Sequence, residues 1–462
     1  MKILLVKCPS LSDHIQPPLG LAYLAAGIRN HHNVTILDML RNRTTLKSYY
    51  KHIKEEKYDL IGFQCYTQEI HNVKKYLIAT KWVLPETKTI IGGPHPTLNP
   101  KETFTYMGDS LDFIMRGEAE DNFAVFLDVC GREIPNWESV PCLVWKNNNE
   151  IRINDGNRNI EDLDSIDMPA WNLIQPQKYP PAQHGAFFKK FPIAPIITTR
   201  GCPFRCAFCS ATLLNGAKIR KRSVKNIINE IITLYYNYGI REFHIVDDNF
   251  TVDRKHAIRV LNHIRSLKLN ISLAFPNGIK IETVDIELCE LMKKSGVYLI
   301  SLGIESGSDR LLNQMNKHLT VEVIRKKCNM IHNAGIDMAG FFILGFPTET
   351  KEEIEKTISF ALELPLIRAN FFCFLPLPGT DIYMNLKNKG ELNKVAWNDF
   401  TFMTAPYVPS GMTRHNLRNY QRLAFLRFYF FRPTIFIKNI AQIKSFKHFY
   451  YLLQRFYHWL IM

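Results

Sequence analysis

Short apolar runs alternate with amphipathic stretches along most of the chain, and the rhythm is broken once, in the middle. Runs at Ile3–Val6, Val34–Leu37, Leu60–Phe63, Thr89–Ile91 and Phe113–Met115 predict five parallel strands buried on both faces. Helical patterns over Leu19–Ile28, Leu46–Ile53, Val73–Val83 and Asp121–Cys130 lie between and after them. Five strands with four crossovers predict a flavodoxin-like doubly wound α/β sheet over residues 1–134, with ligands expected beyond the strands' carboxyl ends. Those ends carry Pro9–Pro18, Gln64–Thr67, Gly92-Gly93-Pro94-His95 and Arg116-Gly117-Glu118. No Gly-x-Gly-x-x-Gly follows the first strand and no phosphate-binding P-loop occurs, which disfavours an ordinary dinucleotide or nucleoside-triphosphate site.

Residues 135–192 are richer in proline, asparagine and charge and read as a linker with a few short strands. The rhythm resumes at Ile193. Strands are expected at Ala194–Thr199, Glu242–Asp247, Ser272–Phe275, Tyr298–Ile304, Met338–Leu344 and Asn370–Leu375. Helices are expected at Val224–Tyr236, His256–Leu267, Val284–Lys294, Val321–Asn333, Lys351–Leu362 and Ile382–Lys387. Six such units over 193–390 predict a partial (β/α)6 barrel with its site at the strands' carboxyl ends.

Composition narrows the class. With 462 residues, 46% of them hydrophobic, the chain is globular and large enough for several cores. Ten cysteines are too few for a disulfide scaffold, and the apolar start is too short for a signal peptide. No apolar run has the length of a membrane span. A reduced, cytoplasmic protein is expected. The net charge of +15 invites an anionic partner: nucleic acid, an acidic membrane or a phosphorylated substrate. That charge is uneven. Residues 400–462 hold nine Lys/Arg, 17 aromatics and no acidic residue.

The sharpest chemical signal is Thr199-Arg200-Gly201-Cys202-Pro203-Phe204-Arg205-Cys206-Ala207-Phe208-Cys209, a C-x3-C-x2-C set just past the first barrel strand. Three thiolates on one loop suit a cubane iron–sulfur cluster with one iron left open. Chance clustering, or a structural metal site completed elsewhere, are the plainer alternatives. The other cysteines (8, 65, 130, 142, 289, 328 and 373) form no close-spaced set, so a second cluster is not expected and most read as small buried hydrophobes.

This loop resembles the cluster-binding motif of the radical S-adenosylmethionine (SAM) superfamily, with Phe208 at the usual aromatic position. The resemblance implies that Cys202, Cys206 and Cys209 hold a 4Fe–4S cluster whose open iron takes SAM, reduced by an external donor such as flavodoxin or ferredoxin. It implies a 5′-deoxyadenosyl radical that abstracts hydrogen from an unactivated carbon. Phe243 to Phe250, containing Asp247, resembles the family segment closing the second strand. Gly303-Ile304-Glu305-Ser306-Gly307 resembles the ribose-contacting segment. The run from Gly340 through Gly345 to Glu349 resembles the adenine-side motif, and Leu377-Pro378-Gly379-Thr380 follows the sixth strand. Taken singly, each of these reads equally well as a loop glycine or a capping carboxylate.

A doubly wound domain ahead of such a barrel resembles the cobalamin-binding subfamily. The match runs through Pro17 to Ala25, Ile91 to Thr97 and Arg116 to Glu120. It implies a corrin site that includes Thr67, Gly92, Gly93, His95, Gly117 and Glu118, where small residues let a flat ring approach the backbone. The Asp-x-His-x-x-Gly pattern that supplies a cobalt-binding histidine elsewhere is absent, because Asp13-His14 lacks the spacing. His95 is the tempting alternative ligand, and a loop histidine bonded to backbone is its plainer reading. A vestigial domain without corrinoid is the plain alternative for the whole match.

Residues 391–462 read as a basic, aromatic, helical extension. From 443 to 460, Phe446, Phe449, Leu453, Phe456 and Leu460 share one helical face, with Lys444, Lys447 and Arg455 opposite. Upstream, Arg414, Arg418 and Arg422 align until Arg427 breaks the face, and Pro433 interrupts the helix. With Trp459, the last helix suits a membrane interface at the inner face; equally, its apolar face suits capping of the open barrel. Nucleic-acid binding is disfavoured because aromatics and lysines lie on opposite faces. With Trp397, Asp399 and Phe400 before it and Arg427 to Pro433 within it, this extension resembles cobalamin-type enzymes acting on lipid, hopanoid or tetrapyrrole substrates. The expected activity is therefore a cobalamin-dependent radical SAM methyltransferase acting on an unactivated carbon of a small, lipid-like or other secondary-metabolite substrate. An oxidative cyclase with the same cofactors comes second, then a nucleic-acid modifier, then a corrinoid-binding protein without catalysis.

Overall fold

The computed structural model describes all residues except 11–14, 149, 182–186, 394 and 462, and the side chains of 458–461. Asp13, His14, Trp459 and Leu460 therefore lie outside the described residues or side chains. The chain divides into two compact units, Met1–Pro180 with Leu213–Gly216, and Pro181–Thr212 with Ala217–Met462.

The first unit is built on strands β1 (Lys2–Lys7), β2 (Asn33–Asp38), β3 (Leu60–Gln64), β4 (Lys88–Gly92) and β5 (Phe113–Met115). They pair in parallel in the order β2-β1-β3-β4-β5, the doubly wound order expected. Ile3, Leu5, Leu60 and Ile90 from these strands and Leu21, Ala25, Phe123 and Phe126 from the flanking helices form one core. Each of these leucine, isoleucine and phenylalanine side chains contributes about 1.5–3 kcal/mol on full burial. The segment read as a linker supplies two further strands, β6 (Leu143–Asn147) and β7 (Glu150–Ile153), which extend the sheet antiparallel beyond β5.

The second unit holds a six-stranded parallel sheet of β8 (Ile193–Ile196), β11 (Glu242–Ile245), β12 (Ser272–Ile279), β13 (Val297–Glu305), β14 (Asp337–Leu344) and β15 (Arg368–Cys373), paired in chain order. Helices intervene as predicted, which is the layout of a partial (β/α)6 barrel. The first expected strand divides in two. After β8 the chain leaves the sheet, and Thr199–Arg200 (β9) pairs antiparallel with Arg220–Lys221 (β10). This ribbon clasps the base of the loop that carries the three cysteines.

Three helices follow the barrel: Arg414–Phe430, Pro433–Ala441 and Phe446–Ile461. Pro433 opens the second of them, where its missing N–H costs nothing. The helix Arg414–Phe430 packs on β15 through Phe428 against Phe371, and Gln421 donates to the Phe371 carbonyl at 2.7 Å. The last helix leaves Phe446 at 83% and Leu453 at 48% exposure. Covering of the barrel at β15 falls to the earlier helix. No helix among the described residues is long and apolar enough to cross a membrane.

Candidate active site

The cysteine loop is held at several points by backbone and side-chain hydrogen bonds. Asp248 accepts from the Gly201 N–H at 3.0 Å, and the Thr212 hydroxyl donates to the carbonyls of Cys202 and Phe204 at 3.0 and 2.8 Å. Across the loop, the Ala207 N–H donates to the Met315 carbonyl at 3.0 Å, and Asn316 Nδ2 donates to the Arg205 carbonyl at 2.7 Å. Phe208 packs against the core that contains Met315, Phe346 and Phe374. The three cysteines are free, Cys202 and Cys206 half-buried and Cys209 exposed, whereas six of the other seven cysteines are buried and Cys130 is half-buried.

Among the described residues no three His, Cys, Asp or Glu side chains surround a single metal ion. A cubane places each thiolate on a different iron, so its ligands do not converge on one point as those of a single ion do. The donor set, three thiols on one braced loop, fits a cluster with one iron left open.

Asp247, the residue before Asp248, is buried and already committed. It accepts from the Thr198 N–H at 2.6 Å and from the hydroxyls of Thr198 and Thr199. Burial pushes its carboxyl up to about 6 against those bonds. Its observed work is to fix the turn that feeds β9.

Glu305 ends β13 and pairs with Lys317, Oε1 to Nζ at 3.2 Å. Ser306 is buried, bonded to the Thr357 hydroxyl at 3.2 Å and accepting from the Ser308 N–H at 3.1 Å. Gly340 and Gly345 have reasons of their own to be glycine. A Cβ on the first would lie 2.7 Å from Leu366, and on the second 2.4 Å from Leu417. The Gly345 and Phe346 N–H groups donate to Glu349, a buried carboxyl that desolvation raises to about 8.

Two buried lysines beside the loop escaped the sequence reading. Lys317 follows the Met315–Asn316 clamp. Lys280, just past β12, sits 3.7 Å from the centre of the Phe204 ring and pairs with Glu282 at 3.0 Å. Burial pushes the Cys206 thiol up; Lys317 and then Lys280 pull it back, each outweighing the opposing carboxylates Glu305 and Glu282. Nothing in the local pattern distinguishes these lysines from solvated ones.

In the first unit, the expected corrin residues gather at the carboxyl ends of β3, β4 and β5. His95 lies in a short helix, Pro94–Leu98, at 1% exposure, its Nδ1 3.1 Å from the buried Thr67 hydroxyl. Burial lowers its pKa to about 4, so the ring is neutral. Its Nδ1 is thus engaged with the Thr67 side chain. Gly117 adopts φ +78, and a Cβ there would meet the Arg158 carbonyl at 2.5 Å; one on Gly93 would meet the Cys65 carbonyl at 3.0 Å. The chain itself therefore requires these two glycines. Gly92 has only an ordinary contact, Met115 at 3.4 Å, so its small size is the one of the three left for a ligand to use. Glu118 accepts from the Ile160 N–H at 2.7 Å.

A doubly wound sheet and an open parallel barrel with a three-cysteine loop together define an enzyme class that couples a corrinoid to radical chemistry. The comparisons with known proteins agree. Residues 196–361 match the radical SAM superfamily and residues 12–127 the B12 binding domain. An uncharacterised methyltransferase of Pyrococcus horikoshii is 32% identical over 454 residues, 96% of each chain. The anaerobic magnesium-protoporphyrin IX monomethyl ester cyclase of Rubrivivax gelatinosus is 27% identical over 90% of this chain and 75% of its own. The cobalamin-dependent SAM radical enzyme OxsB, with aqua-cobalamin and SAM bound, superposes with a TM-score of 0.75 at 16% identity, covering all of this chain and 72% of that one. The chain belongs to the cobalamin-dependent radical SAM methyltransferase family. Its cofactors are accordingly a 4Fe–4S cluster, SAM and cobalamin.

Proposed function

We propose that this enzyme methylates an unactivated carbon of a small, lipid-like molecule, and that Cys202, Cys206 and Cys209 hold its cluster. The observation that carries the cluster assignment is the loop itself: three free thiols, clasped at the base by β9 and β10 and braced by Asp248, Thr212, Met315 and Asn316. When bound, the cluster and SAM supply a radical that removes hydrogen from the substrate, and cobalamin supplies the methyl group. The protein's part is to hold these groups and shape the cavity. The clamps fix the loop's backbone, so that Cys202, Cys206 and Cys209 would hold the cluster without reordering of the loop. Methyl transfer is preferred over ring formation because a relative that matches 96% of this chain is named a methyltransferase.

The test is anaerobic reconstitution with iron, sulfide and hydroxocobalamin, then desalting, iron analysis and a visible spectrum. About four irons and one retained corrinoid per chain are expected, with Cys206→Ala losing the iron and SAM cleavage but keeping the corrinoid. Retained SAM cleavage in that variant would sink the assignment. Four irons without corrinoid would favour a reaction that transfers no methyl group. Products are then sought among methylated lipids.

The lipid-like substrate rests on the tail. The helix Phe446–Ile461 exposes Phe446, Phe449, Leu453 and Phe456 in a stretch without acidic residues, the composition of a helix lying in an anionic interface. The full chain should co-sediment with phosphatidylglycerol vesicles, and Phe449→Ser with Leu453→Ser should release it.

A further inference from the structure

Lysine is costly to bury, and two are buried beside one six-residue stretch of chain. Lys280 is 8% exposed and Lys317 4%. They arrive from different elements, one past β12 and one after the helix Asp309–Gln314. Each pairs with a single carboxylate, Glu282 and Glu305 respectively, and keeps its charge. Each is also tied to the cysteine loop. Lys280 lies over the ring of Phe204, midway between Cys202 and Cys206, and the two residues preceding Lys317 bond the backbone at Ala207 and Arg205. The fold makes room for this arrangement: a Cβ at Gly303 would lie 2.5 Å from Glu305 Oε1 and 3.1 Å from Lys317 Nζ.

A salt bridge this deep is a poor source of stability, since desolvation offsets most of its attraction. What sets these two pairs apart is that the lysine of each stands beside the cysteine loop. We propose that Lys280 and Lys317 are positioning residues that set the reduction potential of the cluster held by Cys202, Cys206 and Cys209, by presenting fixed positive charge to the loop. The proposal rests on the cluster assignment above. Reduction brings one electron, from an external low-potential donor, and so adds one negative charge at the site. A nearby cation stabilises that added charge, and in a buried setting it does so with little screening. Both lysines therefore make the cluster easier to reduce.

The experiment is an EPR-monitored redox titration of the reconstituted full chain, with iron analysis of every sample. Lys280→Met and Lys317→Met should each retain wild-type iron and shift the midpoint to a more negative potential, and Lys317→Arg should stay near wild type. If Lys317→Met fails to load iron, the double variant Glu305→Gln with Lys317→Met, which leaves no unpaired charge at that position, is titrated in its place. Full iron with an unchanged midpoint in Lys280→Met and in Lys317→Met, or in the double variant that replaces it, would overturn the proposal. Wild-type protein that binds no four-iron cluster would overturn the cluster assignment itself, and is told apart by the iron analysis.

Discussion

Asp247 Oδ2 lies 2.8 Å from the Thr199 hydroxyl oxygen, joining the end of β11 to the first residue of the ribbon that clasps the cysteine loop. The same carboxylate accepts the Thr198 N–H, which has no strand partner at that point because the chain is leaving the sheet. Replacing Asp247 by Ala strands a buried N–H and two hydroxyls. A loss of about 1–3 kcal/mol in chemical denaturation is expected, with Asn milder because its carbonyl still accepts from Thr198. Equal stability of the Ala variant and wild type would remove Asp247 from this role.

Glu349 makes stability depend on pH. Its carboxyl is raised by burial from an ordinary value near 4.5 to about 8, so between those values the folded state holds a proton that the unfolded state has lost. The contribution is complete below about pH 4.5 and is lost as pH rises through about 8. Glu349→Gln should flatten this part of the pH profile and leave the protein relatively more stable at pH 8 than at pH 5, compared with wild type. Urea midpoints across that range give the answer.

Gly345 and Leu417 should be energetically coupled. Gly345→Ala drives a Cβ into Leu417 at a backbone φ of +80 and should cost about 2–3 kcal/mol. Truncating Leu417 to Ala in the same chain relieves the contact and leaves only the backbone term. A double-mutant cycle therefore has a favourable interaction energy; strictly additive losses would show that the helix Arg414–Phe430 does not press on this turn.

His95 is 1% exposed and its Nδ1 is engaged with Thr67, so the corrinoid is expected to be held without it as a cobalt ligand. His95→Gln, which keeps a hydrogen-bonding group toward Thr67, should retain corrinoid after desalting with an unchanged visible spectrum. A shifted corrinoid spectrum in that variant would identify His95 as a cobalt ligand instead.

Much of this protein was legible along the chain. The five parallel strands of the first unit and the six of the second were announced by apolar runs between turn residues, because strands buried on both faces leave no room for polar alternation. The helix Leu19–Ile28 begins and ends where its pattern does. The strands β6 and β7 were far less visible, since β7 alternates half-buried and exposed positions in a segment rich in asparagine. The cysteine loop was legible because its chemistry is local: three thiols within eight residues are a ligand set before any folding occurs.

What the sequence by itself determined is therefore the strand order's raw material, the ligand loop and the charge of the tail, all properties of neighbouring residues. Only the tertiary structure decided which polar groups are spent on the fold and which are left facing the chemistry. Gly345 is glycine because Leu417 arrives from a distant helix, and Ser306 is engaged by Thr357 from another. Lys280 and Lys317 look like any solvated lysine in sequence. They become fixed charges because packing removes the water around them and pairs each with one carboxylate, and the strength of a charge depends on the medium that the whole fold creates around it.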